Sequence, residues 1–200
     1  MADARALDDG DGPFTVGDFD ELSAVVVAAW RSGVDLDWTG PAGTVEWSCW
    51  TTADHTVDCV FSYALFLASR RQDSYPPFGE LHALAGATPA DLVEGLVAVT
   101  TMLSTVIAGA DPSERAVILQ GPPARTGVPA DFAARGALEM VLHAQDVCAG
   151  LGVDLDPPAE VCRRLLVHTS GWPFVSPVSP TDDPWSDLLE RSGRPRRHPR

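Results

Sequence analysis

Phe132-Ala-Ala-Arg-Gly-Ala-Leu-Glu-Met-Val-Leu-His-Ala-Gln-Asp-Val-Cys-Ala-Gly150 is the stretch of this sequence that decides the fold. Its apolar side chains recur at the spacing of one helix face; they are Leu138, Val141, Leu142 and Val147. The spacing predicts one long helix, entered at Pro129-Ala130-Asp131 and ended by Gly150 and Gly152.

The polar residues of this helix also share a face. Four positions separate Glu139 from His143, so both side chains project one turn apart, with Arg135 a turn before them and Asp146 a turn after. This is a spacing used by metal ligands. Two donors do not complete a site for the usual divalent metals, so a further ligand has to come from elsewhere, and His55 on a second predicted helix is a candidate. The alternative is that the stripe is the solvent-facing side of an amphipathic helix.

Composition limits the classes of partner. The 200-residue chain has 45% hydrophobic residues, as expected for one globular domain with a substantial core. Its formal net charge of -14 argues against DNA, RNA or an anionic membrane as a partner. All 14 basic residues are arginine, which excludes Schiff-base chemistry on lysine and a P-loop lysine.

The four cysteines form no C-x-x-C pair, which argues against a zinc knuckle or a disulfide scaffold. Cys59 and Cys148 lie on predicted helices, and we interpret them as small buried side chains rather than nucleophiles. Residues 1–13 contain no apolar signal region, and no apolar run reaches about 18 residues. We therefore expect a cytoplasmic protein with reduced thiols and no membrane partner.

The chain is predicted to consist of a disordered acidic arm (1–13), one helical domain (14–193) and a basic tail (194–200). Four long amphipathic helices are expected in the domain, and almost no stretch alternates with period two. The pattern predicts an all-α four-helix bundle with long crossover loops and short C-terminal helices.

Capping residues and prolines place the remaining helices. The first is capped by Thr15 or Asp18 and ends at Gly33; the second is capped by Thr51 or Thr52 and ends near Arg71; the third begins at Thr88-Pro89. Residues 110–128 are expected to be irregular, with at most an extended segment at 116–119. Short helices follow Pro157-Pro158 and Pro184.

An ordered set of motifs resembles a known family. Trp47 precedes His55 by eight residues, and Glu139, His143 and Asp146 form Glu-x-x-x-His-x-x-Asp on the fourth helix. The chain also contains Asp58-Cys59, Tyr63-Ala64, Gly150-Leu-Gly152 and Pro157-Pro158. Over about Phe14 to Val167 the sequence resembles the DinB-like superfamily, and more closely the mycothiol-dependent maleylpyruvate isomerase N-terminal family.

The resemblance implies a bundle that binds one divalent metal through His55, Glu139 and His143, with open positions for water or a thiol. Two imidazoles and one carboxylate suit zinc first, and also nickel, iron or manganese. Such a site has one net positive charge, which a thiolate would neutralise. Asp58 and Asp146 each lie one turn from a histidine ligand, where they either orient the imidazole or are simply surface acids.

The resulting functional hypothesis is a metal-dependent enzyme that uses a mycothiol-type thiol for S-transfer to, or isomerisation of, a small electrophile. Arg135 is predicted to contact the cosubstrate or an anionic substrate, or else to pair with Asp146 or another acid. An oligomer is compatible with the sequence. The alternative is a non-catalytic metal-binding bundle with a regulatory or interaction role. It stays open because isomerases of the family carry a further C-terminal domain, whereas only a short segment follows the predicted bundle here.

Overall fold

The computed structural model describes residues 12–172, 176–177 and 179–196. Most of the predicted acidic arm, and the end of the basic tail including His198, lie outside these residues. The described residues form six helices and a two-stranded sheet, in the order α1 (Val16–Ser32), α2 (Cys49–Ser69), α3 (Pro89–Gly109), β1 (Ala116–Leu119), β2 (Arg125–Gly127), α4 (Pro129–Leu151), α5 (Ala159–His168) and α6 (Pro184–Arg191).

The chain divides into two compact units. Thr15–Leu155 forms one unit and contains α1 to α4 with the sheet. The described residues outside this range belong to the other unit, which contains α5 and α6. The predicted single domain, residues 14–193, spans both units, and its boundaries stay a prediction.

Helix starts follow the predicted capping chemistry at α1 and α3. Thr15 caps α1 by accepting a hydrogen bond from the Asp18 amide, and the Asp18 carboxylate accepts one from the Thr15 amide. Thr88 and Asp91 form the same reciprocal pair at α3, where proline occupies the first helical position. These caps satisfy amide groups that the first helical turn leaves without a partner.

The start of α2 differs from the prediction. Ser48, not Thr51 or Thr52, is the capping residue, and its hydroxyl accepts a hydrogen bond from the Thr51 amide at 3.0 Å. All three residues carry a hydroxyl that can cap a helix, so the sequence alone did not distinguish them. The helix begins at Cys49 and consequently places His55 near the end of its second turn.

Four helices form the bundle of the first unit, as predicted. α2 packs against α3 and α4, and α1 packs against the same two helices, so the order around the bundle is α1, α3, α2, α4. α2 and α4 are antiparallel, because Cys49 contacts the Val147 carbonyl whereas Tyr63, further along α2, contacts Arg135. The core between the helices contains the fully buried side chains Phe19, Leu22, Trp30, Leu67, Leu96, Leu103, Phe132 and Met140.

Gly136 allows α4 to approach two of its neighbours closely. A Cβ atom at this position would lie 2.6 Å from Leu103 Cδ2 on α3 and 3.4 Å from Phe19 Cε2 on α1. Because Gly136 has no side chain, α4 approaches α3 and α1 closely one turn before Glu139. This close packing helps to position Glu139 and the other polar residues of the same helix face.

A short antiparallel hairpin replaces part of the expected irregular region. Ala116 pairs with Gly127 and Val117 with Thr126, and the Val117 amide also donates to the Arg71 carbonyl at 2.7 Å. The extended segment was expected, but its partner strand was not, because Arg125–Gly127 has no apolar alternation. Ala116 and Val117 are buried, and β1 also packs against α2.

Helix α3 is long and apolar enough, by length and composition, to cross a membrane. Its most apolar 18-residue window has a mean hydropathy of 1.7, and 39% of that window is buried in the structure. The helices of a soluble bundle also meet these criteria, and α3 packs on α1 and α2 through buried residues such as Leu96 and Leu103. The predicted absence of a membrane partner stays a prediction.

Candidate metal centre

The three predicted metal ligands lie together between α2 and α4. The imidazole rings of His55 and His143 are 5.2 Å apart between centroids and nearly perpendicular. Glu139 Oε2 lies 3.4 Å from His143 Nε2. The indole of Trp47, in the loop before α2, contacts both rings, with centroid distances of 5.0 Å to His55 and 6.5 Å to His143. The antiparallel packing of α2 on α4 thus brings residues far apart in sequence to one place.

Arg135 holds the other oxygen of Glu139. Its Nη2 lies 2.5 Å from Glu139 Oε1, and its Nε donates to the Tyr63 hydroxyl at 2.8 Å. The predicted pairing of Arg135 with an acid therefore occurs, and the partner is Glu139. The predicted role of Arg135 in binding a cosubstrate stays a prediction.

Glu139 is ionised although it is largely buried. Burial by itself would raise the pKa of this carboxyl group. The hydrogen bond with His143 and the positive charge of Arg135 oppose that effect, so the pKa lies below its ordinary value. The site therefore contains a carboxylate, the form that binds metal ions.

His143 lies between two carboxylates. Its Nε2 faces Glu139, while its Nδ1 is 3.5 Å from Asp146 Oδ2, and the Asp146 side chain is only 3% exposed. A neutral imidazole has one N–H group and can donate to only one of these two acids. A proton on the ring, or a cation between Nε2 and Glu139, would satisfy both. The second arrangement is that of a histidine ligand oriented by an outer carboxylate, the role predicted for Asp146.

His55 has the protonation state that a ligand needs. Burial is the largest effect and lowers the pKa of His55, and repulsion between the two rings, when His143 is protonated, lowers it further. Glu139 and Asp58 raise the pKa of His55, but by less. A neutral ring has a nitrogen lone pair available for a metal ion.

Cys59 is a fourth donor at this place. Its Sγ lies 3.3 Å from His55 Nε2, and the side chain is half-buried rather than buried as expected. Burial, followed by the charges of Glu139 and Asp58, raises the pKa of the thiol to about 12. The sequence contained a signal for this residue, since Cys59 follows His55 by the same four positions that separate Glu139 from His143.

Asp58 contacts a loop rather than His55. Its Oδ1 accepts a hydrogen bond from the Leu81 amide at 2.8 Å, and Asp54 Oδ1 accepts one from the Ala83 amide at the same distance. Asp54 Oδ2 also lies 2.8 Å from His82 Nδ1. The two aspartates thus fix the loop before α3 against α2, on either side of His55 in sequence.

The donors are close together without forming a completed coordination sphere. Over residues 12–172, 176–177 and 179–196, no group of three or more His, Cys, Asp or Glu side chains is spaced to hold a metal ion as it stands. The assignment of His55, Glu139 and His143 as ligands therefore stays a prediction. The donor chemistry fits it, because two imidazoles, a carboxylate and a thiol are all usual zinc ligands.

A cavity of about 540 Å³ lies in the second unit, between α5 and α6. It is mainly apolar, and its wall includes Arg163, Asp187 and Arg191. Arg191 donates from Nη1 to the Leu166 carbonyl at 2.7 Å, at the end of α5. None of the predicted metal ligands lines this cavity.

No protein-family model and no curated protein matches the chain. Among solved structures, the fold is similar to a histidine-to-alanine variant of a mycothiol-dependent maleylpyruvate isomerase. The TM-score is 0.52 at 13% sequence identity, over 76% of this chain and 70% of the other. At this identity the similarity concerns the fold alone, and it confirms the predicted all-α four-helix bundle.

Proposed function

We propose that this protein is a metal-dependent enzyme that uses a low-molecular-weight thiol of the mycothiol type to transfer sulfur to, or isomerise, a small electrophile. The observation that carries the proposal is the meeting of His55, Glu139 and His143 between two antiparallel helices. It is supported by the similarity of the fold to a protein that is described as mycothiol-dependent. The three residues would hold one divalent ion, with zinc the first choice for two imidazoles and a carboxylate.

The charges of the cluster favour a cation. With both histidines neutral, Glu139 and Asp146 contribute two negative charges and Arg135 one positive charge. The cluster therefore has one net negative charge, which is unfavourable in a buried place. A bound divalent ion would change the net charge of the cluster to one positive charge. A thiolate would then bring the cluster to neutrality. The -14 net charge of the chain is no obstacle, because a sugar-thiol of the mycothiol type carries no phosphate.

Each of the surrounding side chains has a role in preparing the site. Arg135 binds Glu139 Oε1 and leaves Oε2 directed at His143, so it fixes the carboxylate without occupying the atom nearest the imidazole. Asp146 Oδ2 lies 3.5 Å from His143 Nδ1, where it would orient the imidazole of a metal-bound His143. Trp47 is 44% exposed and contacts both imidazoles, which places an aromatic surface at the rim where a substrate would enter. A bound metal would lower the pKa of the thiol and would hold its sulfur in place as a nucleophile.

Metal content and thiol dependence test the proposal together. We expect close to one equivalent of divalent metal in the wild type by elemental analysis, and little in His55→Ala or Glu139→Ala. His82→Ala, which removes a histidine outside the cluster, is the matched control. Mycothiol, bacillithiol, glutathione and coenzyme A are then compared on the metal-loaded protein with a chromogenic electrophile. We expect a rate that requires mycothiol and is lost in His143→Ala.

The outcomes separate the functional classes. Metal content near zero in the wild type and in all variants would end the metal-site proposal. A full metal site with no acceleration by any thiol would instead favour a non-catalytic metal-binding module. One observation gives that second candidate weight, since the Cys59 thiol beside His55 offers the site a ligand from within the chain.

A further inference from the structure

Two pairs of donors face each other across the interface of α2 and α4. On α2, Cys59 Sγ lies 3.3 Å from His55 Nε2. On α4, Glu139 Oε2 lies 3.4 Å from His143 Nε2. In both pairs the residues are four positions apart, so each helix presents its two donors from one face.

Each of these two separations is close to the length of one edge of a tetrahedral zinc site. Zinc binds imidazole nitrogen and carboxylate oxygen at about 2.0 to 2.2 Å and thiolate sulfur at about 2.3 Å. A tetrahedral angle then puts a nitrogen and an oxygen ligand roughly 3.4 Å apart, and a nitrogen and a sulfur ligand roughly 3.6 Å apart. The Glu139–His143 pair has the first spacing, and the His55–Cys59 pair is within a few tenths of an ångström of the second.

We infer that Cys59 is a fourth ligand of the metal, so that the resting site is closed by the chain's own thiolate. An external thiol binds by taking the place of Cys59, and its proton passes to the released Cys59 sulfur. The inference rests on the proposed metal site and adds a ligand that the resemblance to the isomerase family does not imply. On coordination the Cys59 thiol gives its proton to solvent, and its thiolate together with Glu139 neutralises the divalent ion.

The arrangement that competes with this one is a hydrogen bond within α2. In it, the thiol of Cys59 donates to His55 Nε2, and the residue has no part in metal binding. The distance between the two atoms is compatible with both arrangements, whereas only coordination predicts a bond between sulfur and metal. A spectroscopic probe of that bond therefore decides between them.

Cobalt(II) substitution provides the probe. We expect the wild type loaded with one equivalent of Co²⁺, without any added thiol, to show a sulfur-to-cobalt charge-transfer band in the near ultraviolet, together with the intense visible bands of tetrahedral cobalt. Cys59→Ser should bind Co²⁺ and lack the charge-transfer band. Cys162→Ser, which changes a cysteine on α5, should keep it. Adding a small thiol to cobalt-loaded Cys59→Ser should restore the band.

A second measurement needs no variant and covers the case in which Cys59→Ser fails to fold. X-ray absorption at the cobalt edge of the wild type should show one sulfur neighbour at about 2.3 Å. If Co²⁺ binds and neither the band nor the sulfur neighbour is found, Cys59 is not a ligand, while the metal site stands. If no Co²⁺ binds to the wild type, the ligand role of Cys59 and the proposed metal-dependent function both fall.

Discussion

The Tyr63 hydroxyl accepts a hydrogen bond from Arg135 Nε at 2.8 Å, and the same guanidinium binds Glu139 Oε1 through Nη2. Tyr63 lies on α2, whereas Arg135 and Glu139 lie on α4. The hydroxyl therefore fixes an arginine that in turn fixes a predicted metal ligand. Burial and the charge of Glu139 raise the pKa of Tyr63, so it stays a neutral hydroxyl throughout the physiological range.

We expect Tyr63→Phe to lower the free energy of unfolding by about 1.5 to 3 kcal/mol, the usual value of a hydrogen bond to a charged group. The loss should be smaller in the background of Arg135→Met, because the partner of the hydroxyl is then absent. Urea denaturation of the two single variants and the double variant measures this coupling.

Tyr75→Phe is the control for that cycle. Its hydroxyl bonds to the Ile118 carbonyl rather than to a side chain of the cluster. Its effect on stability should therefore add to that of Arg135→Met. If the effects of Tyr63→Phe and Arg135→Met on the free energy of unfolding are also additive, the two side chains are not energetically coupled, which would contradict the prediction.

A second prediction concerns the metal and the fold. Ligands from α2 and α4 are brought together only in the native state, so a bound ion should stabilise the protein. At a free metal concentration about 100 times the dissociation constant, the gain is about 2.7 kcal/mol. We expect EDTA to lower the melting temperature of the wild type and to leave that of His55→Ala unchanged.

A melting temperature that does not move when EDTA removes the metal would show that packing alone holds the two helices. His82→Ala serves as the control, since it should keep the response of the wild type to EDTA. Its side chain lies in the loop before α3 and contacts Asp54 and Glu80, not the predicted ligands.

Local sequence signals predicted the parts of the fold that depend on neighbouring residues. Two helix starts were marked in this way, by Thr15 with Asp18 and by Thr88 with Pro89. In both, a capping hydroxyl is followed three positions later by an acid, and this signal lies within a single helical turn. At α2 the same rule was ambiguous, since Ser48, Thr51 and Thr52 all offer a hydroxyl. The choice of Ser48 coincides with loop contacts around it, where the Cys49 amide donates to the Gly40 carbonyl.

The sequence predicted the residue types of the candidate site and their spacing along the helices. It did not predict the individual contacts between the side chains. The spacing of Glu139 and His143 indicated a shared face, and the structure brings His55 to it. The contact between Arg135 and Tyr63 joins residues 72 positions apart, which no local pattern encodes. A cysteine on a helix is usually a small buried side chain, and this general tendency predicts nothing about the contact that Cys59 makes with His55 one turn before it.

The third prediction uses the glycine near the end of α4. A Cβ at Gly150 would lie 2.3 Å from the Pro41 carbonyl oxygen and 2.5 Å from Cys49 Sγ. Because the first of these is backbone, Gly150→Ala forces the loop before α2 away from α4 and should destabilise the protein by about 1 to 3 kcal/mol or more.

Gly109→Ala is the matched control, because a Cβ there meets no atom within 4 Å. We expect it to be neutral or slightly stabilising in thermal denaturation. The displaced loop also includes Gly43, where a Cβ would lie 3.1 Å from Asp146 Cα, so Gly150→Ala should additionally weaken metal binding. Equal stability of the two alanine variants would show that the close approach of loop and helix is not needed.

The last prediction concerns pH and the loop before α3. His82 Nδ1 and Nε2 lie 2.8 and 3.0 Å from Asp54 and Glu80, and these hydrogen bonds raise the pKa of His82 above its ordinary value. A histidine whose pKa is raised in the folded state contributes stability that is fully present below the pKa of the unfolded chain, about 6.5. That contribution is lost as the pH rises through the pKa of the folded state.

Amide hydrogen exchange measures this directly. The Leu81 and Ala83 amides donate to Asp58 and Asp54, so their exchange reports whether the loop lies against α2. After correction for the intrinsic exchange rate, we expect stronger protection near pH 6 than at about pH 8.5. His82→Gln should remove the pH dependence, because glutamine keeps a donor but cannot become charged, whereas His168→Gln on α5 should retain it. Protection that is independent of pH in the wild type would mean that the two amide hydrogen bonds, and not the charge of His82, hold the loop on the helix that carries His55 and Cys59.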